Sequence, residues 1–362
     1  MGLFRKWFII TLITILLLLT VAAGFNYYID PLWNFAHANR YNRIQMGFDE
    51  RQQKTNRVGR GNFNYNTIIL GSSRTTYINQ YDFAGYRAYN YAVSNMLLDE
   101  YYEYIEYAKA KNGREFDCIV LGLDFYATNR SLKFKEFQRP AFYINKNREF
   151  AYRYKTLLSW DTLQRSWRNY EASRRGVPVN FAYDRNNVKT LLTVSDPQEK
   201  QRKVQATVDK YHRDIYANYQ YADVKTSLEK IKKANPHSRF IVFTTPVSRP
   251  LFNLMISEGL FPYYEQWLRD AVAVFGEVHH FMYPNSVTEN LDNFYDASHI
   301  YPHVGTLVVR RITGAAGSYI PPDFGIKLTA GNIDSCLRSI ERQCGPGLCN
   351  GKQIKDKAEA GL

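Results

Sequence analysis

The residues best suited to chemistry sit in two short stretches far apart in the chain. In NTIILGSSRTTYINQ (66–80), a mostly apolar run, Thr67 to Leu70, leads straight into Gly71-Ser72-Ser73-Arg74. In NFYDASHIYPHVG (293–305), Asp296 and His299 stand three residues apart, close enough to meet on one turn. A serine becomes a nucleophile only when a base removes its proton, and a carboxylate usually orients that base. Asp296 is placed to hold one ring nitrogen of His299 while the other reaches Ser73. A structural reading stands beside this one: Gly71 makes a tight turn, a serine caps the helix that follows, and the carboxylate lies near the histidine by chance. His303, one turn on, is a competing base. Of the other histidines, His37 lies in a polar N-terminal stretch, His212 and His237 in polar surface settings, and His279 and His280 in a short strand.

Residues placed this way need a scaffold that lifts them to one edge. TIIL (67–70), YNYAV (89–93), DCIVLGLDF (117–125), RFIVFTTPV (239–247) and EVHHFMY (277–283) read as strands. Between and after them, LLDEYYEYIEYAKAK (97–111), VKTSLEKIKKANP (224–236), YYEQWLRDAVAVFG (263–276) and PHVGTLVVRRI (302–312) read as helices. Strands alternating with helices predict an α/β fold, a three-layer, doubly wound parallel sheet. In such sheets the working groups lie just beyond the carboxyl ends of the strands. Gly71-Ser72-Ser73, Gly122-Leu123-Asp124 and Thr244-Thr245-Pro246 all fall at such ends. A charged, aromatic insertion of helical texture, about 128–220, interrupts the alternation. The expected organisation is a short end at 1–6, an anchor at 7–25, a stalk at 26–65, the α/β domain at 66–315 and a cysteine-containing tail at 316–362.

Composition and the N-terminus address location. The chain has 362 residues, with 47 Lys plus Arg against 34 Asp plus Glu, a formal charge of +13. The positive charges are scattered, which favours a basic surface facing anionic lipid or an acidic polymer. No nucleic-acid-binding motif accompanies them. The 29 tyrosines suit sticky, wet surfaces such as carbohydrate grooves, and equally a compositional bias. Arg5 and Lys6 precede 19 mostly apolar residues, Trp7 to Phe25, long enough to cross a bilayer. The basic end then stays in the cytoplasm and the rest of the chain lies outside it, which predicts a single-pass protein of the inner (cytoplasmic) membrane. The small residues VAAG (21–24) leave a cleavable signal peptide as the alternative. Cys118 lies in an apolar run. Cys336, Cys344 and Cys349 are not spaced as zinc ligands, and a tail disulfide fits an oxidising compartment. No metal or other cofactor is expected.

The order strand-Gly-x-Ser, alternating sheet, then Asp-x-x-His before a final helix resembles the SGNH (GDSL-like) hydrolase superfamily over about residues 66–312. By that resemblance Ser73 is the nucleophile, His299 the general base and Asp296 its orienting acid, with Ser72 where the family usually has Asp. The family's oxyanion hole uses the serine N–H, a glycine N–H and an asparagine side chain. Here the glycine position falls on Ser94 or Asn95 in YNYAVSNMLL (89–98), and the asparagine position on Asp124. An α/β-hydrolase assignment fails, because G-x-S-x-G needs glycine where Thr75 stands. The anchor, GSSR, NYAVSN, GLDF and TTPVS together look more like the membrane-anchored branch, similar to the alginate O-acetylation and D-alanyl-transfer (teichoic acid) proteins. That resemblance implies a serine acyltransferase or esterase working on a cell-surface polysaccharide or related polymer beside a membrane-bound O-acyltransferase. In that setting Arg74 and Arg249 could hold an anionic polymer, and Tyr77, Tyr126 and Tyr295 could stack on sugar rings. The alternative is a catalytically inactive binding or scaffold subunit of an envelope polysaccharide machine, which Asp124 and the missing glycine favour.

Overall fold

The computed structural model describes residues 2–315 and 319–344. The chain divides into two compact units. One takes the chain up to Phe63 together with Gln138–Leu192; the other takes Asn64–Phe137 and the chain from Thr193 onward. Where the sequence suggests a stalk followed by an insertion, the structure groups most of both into the first unit. The two ends of the expected insertion, 128–137 and 193–220, stay with the sheet.

In the first unit, Gly2–Ile29 is one helix, with a mean hydropathy of 2.7 over an 18-residue window and none of that window buried. It is long and apolar enough to span a membrane. Its last turn is polar and tied down: buried Asn26 donates to Leu157 O (2.8 Å) and accepts from Ser166 Oγ (2.8 Å). The Asp30 carboxylate then accepts the backbone N–H groups of Asn34 and Phe35 and pairs with Arg185 at 2.8 Å. Gln45–Met46 pairs antiparallel with Ala182–Tyr183. Helix Trp160–Arg175 starts on a Ser159 cap and ends at Gly176 with φ 68°.

The second unit is built on six strands: β1 (Thr67–Leu70), β2 (Ala88–Asn90), β3 (Cys118–Leu123), β4 (Arg239–Thr244), β5 (Glu277–His280) and β6 (Ile326–Thr329). Their order is β2-β1-β3-β4-β5-β6, all pairs parallel except β5 with β6. β1 and β3 are buried at every position, which is why both read as unbroken apolar runs. Burial pushes the Cys118 thiol up to about 11. β6 and helix Ile333–Gln343 arise from the expected tail. No disulfide links the described cysteines Cys118, Cys336 and Cys344 to one another, and Cys349 lies outside the described residues.

The chain leaves β1 for a neighbour on one side, β2, and returns for a neighbour on the other, β3. Reversals of this kind open a crevice at the carboxyl ends of the two central strands. Thr75 fills the space between those ends. A Cβ on Gly71 or on Gly122 would collide with the Thr75 side chain. Gly122→Ala is therefore expected to destabilise the protein by about 1–3 kcal/mol, the usual cost of overpacking. Thermal denaturation of Gly122→Ala and of Gly122→Ala/Thr75→Ala checks this. The second change removes the obstructing hydroxyl, which has no partner among the described residues, and recovers part of the loss.

Candidate active site

Ser73 follows β1 directly, on the turn that the close contact of Gly71 with Thr75 makes possible. Its Oγ lies 2.9 Å from His299 Nε2, although 226 residues separate the two. The other ring nitrogen, Nδ1, lies 2.8 Å from Asp296 Oδ2. The second Asp296 oxygen accepts the backbone N–H groups of Ser298 (2.7 Å) and His299 (2.9 Å). Burial pushes the Asp296 carboxyl up, but the charge and hydrogen bonds of His299 and the Ser298 N–H outweigh it and hold the group well below the usual carboxylate range. The imidazole keeps an open edge, at 25% side-chain exposure, and Ser73 is half-buried. The Ser73 backbone N–H has no acceptor among the described residues. A hydroxyl, an imidazole and a carboxylate thus form one hydrogen-bonded chain with its serine end open to solvent, the arrangement that nucleophilic acyl transfer needs.

Several separate elements hold that chain. The loop closes on itself through Tyr295 N–H to His299 O at 2.8 Å. Ser248, just after β4, donates both its N–H and its Oγ to Ala297 O. Buried Lys200, on helix Pro197–Lys210, donates to the carbonyls of Leu291 and Phe294 and to the Tyr301 hydroxyl. Helix Pro302–Thr313 then packs against the turn after Ser73 so closely that a Cβ on Gly305 would sit 2.6 Å from Tyr77 O. Thr306 on the same helix donates to Asp82 at 2.7 Å. Gly305 is thus the point where the two halves of the serine–histidine pair are pressed together.

Arg74 and Asp124 occupy a different place from the one a substrate clamp would need. Arg74 is 3% exposed, and its guanidinium donates to Asp124 Oδ1 at 2.9 Å and to the Tyr211 hydroxyl at 2.8 Å. Thr245, from the Thr-Thr-Pro after β4, donates to the same Asp124 oxygen. Arg74, expected to hold polymer, has its guanidinium paired with the buried Asp124 carboxylate. The Asp124 carboxylate has its charge compensated by the same contact. Ser94 and Asn95 stand at the same rim as Ser73, because Val93 N–H pairs with Gly71 O at 3.1 Å and carries the β2 edge past the end of β1. Asn95 adopts φ 54°, a left-handed turn position. Tyr77 and Tyr126 are buried, while half-buried Tyr295 accepts a hydrogen bond from Lys203 at 3.1 Å.

The competing base is displaced: His303 Nε2 contacts Asn293 Oδ1 at 3.1 Å. His280 is buried between Thr244 and Tyr264, and burial lowers it to about 3. Arg249 bonds Asn253, Glu289 and the Gln343 carbonyl. Sequence reasoning missed Lys200 and Tyr211. Lys200 lies on helix Pro197–Lys210 and Tyr211 opens the π-helical turn Tyr211–Tyr216, a feature with no signature in the sequence. No family model matches the chain, and no curated protein is significantly similar to it.

Two outcomes follow. Arg74→Met strands a buried carboxylate and is expected to cost about 3–5 kcal/mol in urea unfolding, whereas Arg74→Met/Asp124→Leu recovers most of it. Because folding depresses the Asp296 carboxyl, its contribution to stability is present above the unfolded value of about 4 and is lost as pH falls through the folded one. The urea midpoint of wild type should therefore exceed that of Asp296→Asn most at pH 5–6, and the gap should narrow steadily in acid.

Proposed function

We propose that Ser73, His299 and Asp296 form the catalytic triad of an SGNH-like serine acyltransferase or esterase. Its acyl groups belong to a cell-surface polysaccharide or related polymer. The observation that carries this reading is the 2.9 Å contact between Ser73 Oγ and His299 Nε2, backed by Asp296 on the opposite ring nitrogen. An apolar helix long enough to span a membrane supports an inner-membrane anchor with the sheet unit outside the cytoplasm. The excess of basic residues suits an anionic polymer. A membrane-bound O-acyltransferase is the partner the resemblance implies.

The reaction runs in two halves. Ser73 Oγ attacks the donor's carbonyl carbon while His299 Nε2 takes the hydroxyl proton. The tetrahedral oxyanion faces the Ser73 N–H, with Ser94 and Asn95 at the same rim as the nearest further donors. As that intermediate collapses, the donor's leaving oxygen takes the proton from His299 and an acyl ester remains on Ser73. A sugar hydroxyl or water then gives its proton to His299 Nε2 and attacks the ester carbonyl. Ser73 Oγ departs and regains a proton from His299. Asp296 holds the ring orientation and stabilises the imidazolium throughout. Arg74 keeps the Asp124 charge away from the developing oxyanion.

Full-length protein and an activated aryl acetate test this. Wild type should release the phenol in a burst, and an alkyl fluorophosphonate should label Ser73. Ser73→Ala and His299→Ala should each lower the steady-state rate by roughly 10³-fold or more. A burst that survives Ser73→Ala would remove the proposal.

A further inference from the structure

Helix Trp160–Arg175 is amphipathic the wrong way round for a soluble protein. It buries Thr162, Ser166, Asn169 and Ser173. Ser166 and Asn169 bond Asn26 and Gln45, and Ser173 accepts the N–H of Ile44. On the opposite side Trp160 is 71% and Trp167 54% exposed. Leu158, on the turn just before the helix, is exposed as well. Leaving side chains of this size in water forgoes the stabilisation that burying them would bring. The exposed stripe runs beside the membrane-length helix, and Phe25 meets Trp167 and Tyr170 with ring centroids 6.3 and 5.8 Å apart. Between the two helices lies a crevice of about 580 Å³. Leu18, Val21 and Phe25 line one wall, and Trp160, Leu163 and Trp167 the other. Arg168 and Gln164 also line it. Arg168 is exposed and has no ion-pair partner among the described residues.

We infer that this crevice holds a phospholipid of the extracytoplasmic leaflet, its acyl chain between the two helices and its phosphate at Arg168. The inference rests on the membrane-anchor reading above. Leu18 lies seven residues before Phe25, roughly 10 Å along a helix at 1.5 Å per residue. The crevice therefore reaches about one headgroup-to-acyl depth below the end of the apolar run, the depth at which interfacial helices lie. Indoles settle at that level, with an apolar body and one polar N–H. A guanidinium there reaches the phosphate layer on its apolar stem. The polar inner face of the helix, bonded to Asn26 and Gln45, fixes the tilt of this unit on its anchor. The bilayer then becomes part of what orders the unit.

The test is indole quenching with the full chain in nanodiscs of mixed phosphatidylcholine and phosphatidylglycerol, comparing oleoyl chains with their dibrominated counterparts. Wild type reports on Trp7 as well, so Trp7→Phe is the informative protein. Its remaining indoles include Trp33 and Trp267, each 2% exposed, whose own quenching the triple variant below measures. Trp7→Phe should lose emission roughly twofold on brominated lipid, and Trp7→Phe/Trp160→Phe/Trp167→Phe should lose almost none. Quenched wild type with unquenched Trp7→Phe would overturn the inference and leave the anchor standing. That is the outcome expected if a second copy or a partner's span fills the crevice. No quenching in either protein would remove the anchor as well. With only the phosphatidylglycerol brominated, Arg168→Glu should reduce the quenching of Trp7→Phe, and equal quenching would overturn the phosphate assignment.

Discussion

A hydroxyl and an imidazole that meet at 2.9 Å across 226 residues constrain the whole sheet unit. Their meeting requires that β1 stop where it does, that the turn after it be tight, and that the last helix approach that turn closely. Two glycines meet those demands by having no side chain. Gly71 lets the Thr75 side chain tuck under the turn, and Gly305 lets helix Pro302–Thr313 come against Tyr77. Neither position tolerates a Cβ without moving the serine or the histidine. The site is therefore a property of backbone packing first and of side-chain chemistry second.

Electrostatics adds a second layer beneath the rim. A buried ion pair is a weak source of stability, because the desolvation of both charges offsets their attraction. Its value here lies in placement. Asp124 ends β3 beside the crevice, and an uncompensated carboxylate there would oppose any anion forming nearby. Arg74 follows Ser73 immediately in sequence, so the residue next to that serine compensates the charge behind it. Helix Pro197–Lys210 and the π turn after it supply Lys200 to the Asp-x-x-His loop and Tyr211 to Arg74. The last part of the expected insertion thus buttresses the site from both sides, a role compatible with its lack of any motif.

Much of the sheet was legible because buried parallel strands and amphipathic helices leave periodic, well-bounded signals. TIIL matches β1 residue for residue, and the helices expected at 97–111, 224–236 and 302–312 lie within two residues of Leu98–Asn112, Val224–Ala234 and Pro302–Thr313. The pairing of Ser73 with His299 and Asp296 was legible too, because Asp-x-x-His is local and the serine stands at a strand end. The short edge strand β6 was not: four residues, Ile-Lys-Leu-Thr at 326–329, with one half-covered face carry too little periodicity. Nor was the grouping of residues up to 63 with 138–192, which depends on long-range pairs such as Asp30 with Arg185. The burial of Arg74 escaped for the same reason. An arginine beside a serine reads as surface until its carboxylate, 50 residues away, is seen to face it.

The most direct measurement is the mass of the protein caught during turnover. Wild type mixed with an activated acetyl donor, quenched in acid within the pre-steady state and digested, should carry one acetyl group on the peptide containing Ser73. His299→Ala treated identically should carry little or none. Turnover with no acyl group on Ser73, or with the acyl group on another side chain, would contradict the account.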